Sequence, residues 1–121
     1  MKIFKYKRFH QWAKSEGLED HLLKKVIAEI ENGLFDVNLG SGLYKKRVAR
    51  KGQGKRGSYR TLIAFKRTNK AIFMYGFAKS ERDNIDKMEE DIFKRLAKYY
   101  FDTSELQLSV LVKNGELIEV I

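Results

Sequence analysis

Arg60 stands inside Ser58 to Lys66 (SYRTLIAFK), a run otherwise suited to burial. An unpaired cation in such a place is costly, and a cleft that receives phosphate relieves the cost. The residue belongs to a longer stretch, Val37 to Ser80, which holds twelve of the chain's 25 Lys and Arg and none of its 16 Asp and Glu. Those cations are Lys45, Lys46, Arg47, Arg50, Lys51, Lys55, Arg56, Arg60, Lys66, Arg67, Lys70 and Lys79, with Tyr44, Tyr59, Phe65, Phe73, Tyr75 and Phe77 between them. The formal net charge is +9, and outside this stretch acids outnumber bases. A local basic surface with interleaved aromatics is the footprint of a phosphate-backbone binder.

Arg, Lys and Tyr suit one chemistry in particular, in-line attack on a phosphodiester. Guanidinium groups grip non-bridging oxygens bidentately, and preorganised positive charge stabilises the transition state. RNA brings its own nucleophile, the 2′-OH. Lysines crowded among like charges hold their proton less tightly, which makes them candidate general bases. Other chemistries lack their residues. There is no cysteine, no HExxH and no carboxylate cluster, and His10 and His21 fall on the N-terminal helices as ordinary helix residues. Gly52-Gln53-Gly54 has neither a following helix nor a Lys-Ser/Thr pair, so it is not a nucleotide-binding loop. The expectation is a site with no metal and no cofactor.

These side chains are positioned by a short series of elements. Lys5 to Ser15 reads as a helix broken at Gly17, and Leu18 to Asn32 as the clearest helix, with Leu22, Leu23, Val26, Ile27 and Ile30 on one face. Leu34 to Gly42 reads as a connector. Three strands follow, Leu43 to Ala49, Ser58 to Lys66 and Ala71 to Ala78, the last two joined by a short hairpin connection. Alternation places Lys45 and Arg47 on one face and Lys46 on the other, and it places Tyr75 and Phe77 with Phe73. Asp83 to Tyr100 reads as a helix with Ile85, Met88, Ile92, Leu96 and Tyr99 on its apolar stripe and Ser80 or Asp83 as cap. Leu106, Leu108, Val110 and Val112 alternate like a hairpin strand, yet Asp102-Thr103-Ser104-Glu105 starts a helix well. A short helix with a terminal strand at Leu117 to Val120 is the preferred reading. The expected fold is α+β: two N-terminal helices, a small antiparallel β-meander and a C-terminal helix packed on it, in a single domain over residues 1–121. No stretch approaches the roughly 18 apolar residues that span a bilayer. The absence of cysteine and of a signal-peptide run leads us to expect a cytoplasmic protein with no membrane partner.

Gly42-Leu43-Tyr44-Lys45-Lys46-Arg47-Val48-Ala49, Gly54-Lys55-Arg56-Gly57-Ser58-Tyr59-Arg60 and Tyr75-Gly76-Phe77-Ala78-Lys79-Ser80-Glu81-Arg82 occur in this order. Together they resemble the RelE superfamily, and within it the HigB-like toxins of bacterial type II toxin–antitoxin systems. The resemblance spans roughly residues 15–100 and is densest over 42–82. It implies an mRNA endoribonuclease acting on the ribosome and inhibiting translation. It also implies a cognate helix-turn-helix antitoxin, through which the complex binds operator DNA. By the same resemblance Tyr59-Arg60 matches the family's glycine-tyrosine-arginine motif, with Ser58 in the glycine's place, and Arg60 contacts the scissile phosphate. Lys79 matches the lysine of the family's glycine-lysine-arginine-glutamate-arginine run, and Lys45, Lys46 and Arg47 sit on the strand where the family places catalytic lysines. Arg60, Lys79, Arg47 and Lys55 are the expected catalytic set. Lys45, Lys46, Arg56, Tyr59 and Arg82 are the expected RNA-binding residues, although Tyr59 equally suits a packed strand position. The chain departs from the family at Ser80, which replaces a catalytic arginine, and at Asp86, where some relatives carry a functional tyrosine. Two alternatives remain: a non-catalytic RNA- or ribosome-binding module, and a ParE-like gyrase inhibitor on the same fold.

Overall fold

A computed structural model describes residues 1–50 and 54–121, with the backbone alone at 50 and 54–56. The chain opens not with a helix but with a strand, β1 (Lys2–Tyr6), followed by α1 (Lys7–Glu16) and α2 (Asp20–Glu31). Then come β2 (Val37–Gly40), β3 (Leu43–Arg50), β4 (Gly54–Lys66) and β5 (Lys70–Ala78), and finally α3 (Lys87–Phe101), α4 (Glu105–Lys113) and β6 (Leu117–Glu119). The fold is α+β, as expected, but the sheet is larger and mixed. Its six strands run in the order β2-β3-β4-β5-β1-β6. β1 lies parallel to β5, with Phe4 opposite Ile72, and the remaining pairings are antiparallel. The expected connector at Leu34 to Gly42 contributes the edge strand β2, and the C-terminal helix-then-strand reading holds.

Helices cover both faces of the sheet. On one, Phe9, Ala13, Leu23, Val26, Ile27 and Ile30 pack onto Val48, Tyr59, Ile63, Phe65, Ala71 and Phe73. Phe9 stacks on Phe73 at 5.0 Å. Trp12 lies over Gly76, where an added Cβ would stand 2.2 Å from the indole, so only glycine admits the ring. On the other face, Ala97, Tyr100, Leu108 and Leu111 pack onto Phe4, Leu43, Leu62, Ala64, Ile72 and Met74.

Two details overturn the sequence reading. The register of β4 against β5 shifts between Leu62–Tyr75 and Ile63–Phe73, leaving Met74 as an extra residue. This bulge turns Tyr75 and Phe77 to the α3 face, away from Phe73. The second concerns α3, which begins at Lys87 behind an Asp86–Glu89 capping box rather than at Ser80 or Asp83. Its inward residues are Phe93, Leu96, Ala97 and Tyr100. Met88, Ile92 and Tyr99 of the expected stripe are 74%, 54% and 54% exposed. The helical period was legible; the buried face was not.

Candidate functional site

β3 and β4 pair so that Arg47 faces Arg60, and β5 sets Phe77 on the far side of Arg60. Lys45, opposite Leu62, and Arg47 share this face, because alternate residues of a strand point the same way. Their side of the sheet opens into a cleft of about 350 Å³ lined by Lys45, Arg47, Arg60, Leu62, Phe77 and Ile85, with Asp36 and Asp83 on its rim. Two larger hollows of about 610 Å³ lie elsewhere. One is edged by Glu16 and Glu19, and the other by Lys2, Lys70 and Glu105 with the turn residues Thr68 and Asn69. Among the described residues neither gathers the arginines a polyanion needs, so the smaller cleft is the better candidate.

Each cation in the region has a distinct status. Arg60 is half-buried, and its Nη1 donates to Ser58 Oγ at 2.7 Å. Among the described residues it has no ion pair. Arg47 is tied to Asp36: its backbone N–H donates to Oδ2 at 2.6 Å and its Nε to Oδ1 at 2.9 Å. Burial pushes the Asp36 carboxyl up, but these two bonds outweigh it and hold the group below its ordinary range. Lys45 is half-buried at the cleft with no ion pair among the described residues. Lys46, on the opposite face as alternation requires, reaches Glu29 of α2 at 3.5 Å.

Three other expected site residues lie outside the cleft. Tyr59 is 3% exposed in the α1–α2 core, edge-on to Trp12 at 5.1 Å, which favours packing over contact with RNA. Lys79 is exposed just beyond β5, where its backbone N–H donates to Ser58 O at 3.3 Å; it does not line the cleft. Arg82 is turned into the molecule's own network. Its guanidinium meets both carboxylate oxygens of Glu89, donates to the Tyr75 hydroxyl at 3.1 Å and lies 5.8 Å from the centre of the Phe77 ring. The bonds to Glu89 and Tyr75 raise the proton affinity of Arg82, and those from Arg82 and Asp86 draw the Glu89 carboxyl down to about 2. Arg82 thus braces the Tyr75–Phe77 wall behind Arg60. The side chains of Lys55 and Arg56 lie outside the described residues.

The amino-acid sequence did not reveal Asp36. It sits one position before the acid-free stretch and falls beside Arg47 through the pairing of Val37 with Lys45. Reading Val37–Gly40 as a strand returning through Ser41 and Gly42 would have exposed it. Gly40, Ser41 and Gly42 all have positive φ, as a tight reversal needs.

The cleft places two arginines on adjacent strands of a small α+β scaffold, an arrangement whose charge suits an anion. The family model of the RelE toxin of the RelE/RelB toxin–antitoxin system matches residues 1–120. The chain belongs to the RelE toxin family. No curated protein matches the sequence. Membership makes the protein the toxin half of a toxin–antitoxin pair, and so gives it an antitoxin as partner. No helix among the described residues is long and apolar enough to cross a membrane.

Proposed function

We propose that this RelE-family toxin is a cytoplasmic, metal-independent endoribonuclease of the HigB-like branch that cuts mRNA on the ribosome and so inhibits translation. The observation that carries the reading is the facing of Arg47 and Arg60 across β3 and β4, with Lys45 beside them, at the mouth of the cleft. A phosphodiester seated there offers its non-bridging oxygens to the Arg60 guanidinium. The 2′-oxygen of the preceding ribose attacks phosphorus and the bond to the 5′-oxygen breaks. The 2′-hydroxyl proton leaves to a base and another proton reaches the departing 5′-oxygen. The negative charge that accumulates on phosphorus-bound oxygen meets cations already held in place, so little reorganisation is needed at the moment of reaction. The products are a 2′,3′-cyclic phosphate and a 5′-hydroxyl.

The helix-turn-helix character of the antitoxin and its carriage of the pair to operator DNA belong to the same reading. An antitoxin that covers the cleft is expected to present acidic or apolar segments, and opposite charge would speed the encounter. The test incubates purified toxin with mRNA, alone and on translating ribosomes, and maps new 5′ ends. Discrete 5′-hydroxyl ends that vanish on adding antitoxin support cleavage. Salt-sensitive binding without product would make the protein a non-catalytic RNA-binding module. Loss of DNA supercoiling by gyrase with intact RNA would make it a gyrase inhibitor.

A further inference from the structure

Both arginines of the cleft are held by oxygen atoms, those of Asp36 just before the basic stretch and that of Ser58 within it. Asp36 holds Arg47 from two directions, the backbone N–H at 2.6 Å and the side-chain Nε at 2.9 Å. The Nε bond leaves both Nη groups of Arg47 to point elsewhere. Ser58, 7% exposed, holds Arg60 through Nη1 at 2.7 Å from two residues back on the same strand face. Two guanidiniums on facing residues of adjacent strands repel, and without restraint each would swing apart into water. A carboxylate in a site meant for a polyanion carries its own cost, since it repels the substrate. Its presence at the rim is explained if orientation of Arg47 is worth more than one unit of attraction.

We propose that Asp36 is a positioning residue that fixes the Arg47 guanidinium on the β2 side of the cleft while Ser58 fixes Arg60 on the β4 side, so that the pair forms a preset fork for one phosphodiester group. The proposal rests on the ribonuclease reading and deepens it. It sets Asp36 apart from a residue that merely anchors β2. A fork-setting carboxylate is beneficial in the transition state and mildly unfavourable to substrate binding, so its removal splits the two kinetic constants.

Asp36→Asn tests this in the full-length toxin on a defined RNA. Expected is a fall in kcat of about tenfold, with KM unchanged or lower because a negative charge has left the rim. In an Arg47→Ala background the same substitution should cost nothing further, since the group it orients is gone. The bond from Asp36 to the Arg47 backbone survives in that background, so a purely structural role would keep its full cost there. Wild-type cleavage with an unchanged kcat for Asp36→Asn, or an equal cost in both backgrounds, overturns the proposal. Ser58→Ala should lower kcat by a similar factor without raising KM, and a rise in KM alone would remove Ser58 from the fork. An independent arm reads the Arg47 Nε–H by NMR. It should exchange slowly in the wild type and rapidly in Asp36→Asn, and rapid exchange in both overturns the tether. Should the wild type cleave no RNA, the ribonuclease reading falls, and the NMR arm alone decides whether Asp36 holds Arg47.

Discussion

Lys66, Arg67 and Lys70 lie around the turn of the β4–β5 hairpin, and Lys45, Arg47 and Arg60 lie towards the opposite end of the same sheet. All six come from one acid-free stretch, yet their surroundings differ in kind. At the turn end, Lys70 is buried and donates to the carbonyls of Tyr100 at 2.9 Å, Thr103 at 3.4 Å and Phe101 at 3.5 Å, closing the C-terminus of α3. Arg67 donates to Glu31 O, the last residue of α2, at 2.8 Å. Lys66 lies 6.0 Å from the centre of the Phe101 ring. Helix C-termini gather unpaired carbonyls and partial negative charge, so Lys70 and Arg67 are engaged by the fold, whereas Lys66 stays exposed beside the ring. At the cleft end, among the described residues, no helix terminus presents carbonyls to Arg60 or Lys45, which leaves their charge available to a ligand. Like residues thus divide into structural caps and a candidate phosphate site according to whether they meet the C-terminus of a helix. Lys70, one of the twelve cations of the acid-free stretch, is a buried structural cation in the fold.

The largest expected effect separates the two ends outright. Arg60→Ala should lower RNA cleavage by at least about a hundredfold, the scale for losing one preorganised donor at a charged transition state. Its urea midpoint should stay close to that of the wild type. Full activity would remove Arg60 from the site.

Lys70→Met should do the reverse, leaving cleavage at wild-type level. It strips a donor from three carbonyls and should lower stability by about 2 kcal/mol, read from urea unfolding. A loss of activity without a loss of stability would erase the division between the ends.

A finer comparison uses salt. Lys45→Ala should reduce the slope of log affinity for RNA against log salt by about one, whereas Lys66→Ala should leave the slope unchanged. Equal slopes would mean that RNA runs over both ends.

The smallest effect concerns the brace behind the cleft. Glu89 has its folded pKa near 2 against about 4.3 in an unfolded chain. Its contribution is present above pH 4.3 and fades as pH falls towards 2, because the unfolded state then takes up the proton first. The stability gap between wild type and Glu89→Gln should therefore shrink across that interval in acid unfolding curves. A constant gap would show that the pairing with Arg82 adds nothing to the wall.

Local periodicity made much of this legible. The two-residue repeat of β3 separated Lys45 and Arg47 from Lys46, and the structure places them so. It failed at Tyr75 and Phe77, because one bulged residue at Met74 inverts every later side chain and leaves no mark in composition. It failed again at α3, where Met88, Ile92 and Tyr99 form a stripe as apolar as Phe93, Ala97 and Tyr100. Two overlapping stripes satisfy the same period, and only the sheet beneath selects one. β1 escaped notice because Lys2–Tyr6 is short and its partner, β5, is nearly seventy residues away in the chain.

By itself the sequence determined that this is an α+β chain with a concentrated positive charge and a hairpin carrying Arg60 at its centre. Those properties depend on residue type and short-range spacing, which no tertiary contact alters. The tertiary structure decided which cations remain available. Whether Lys70 meets the end of α3, whether Asp36 closes on Arg47, and whether Phe77 backs Arg60 all depend on register between distant segments. Charge is written residue by residue, but its neutralisation is set by what the fold brings within 3 Å.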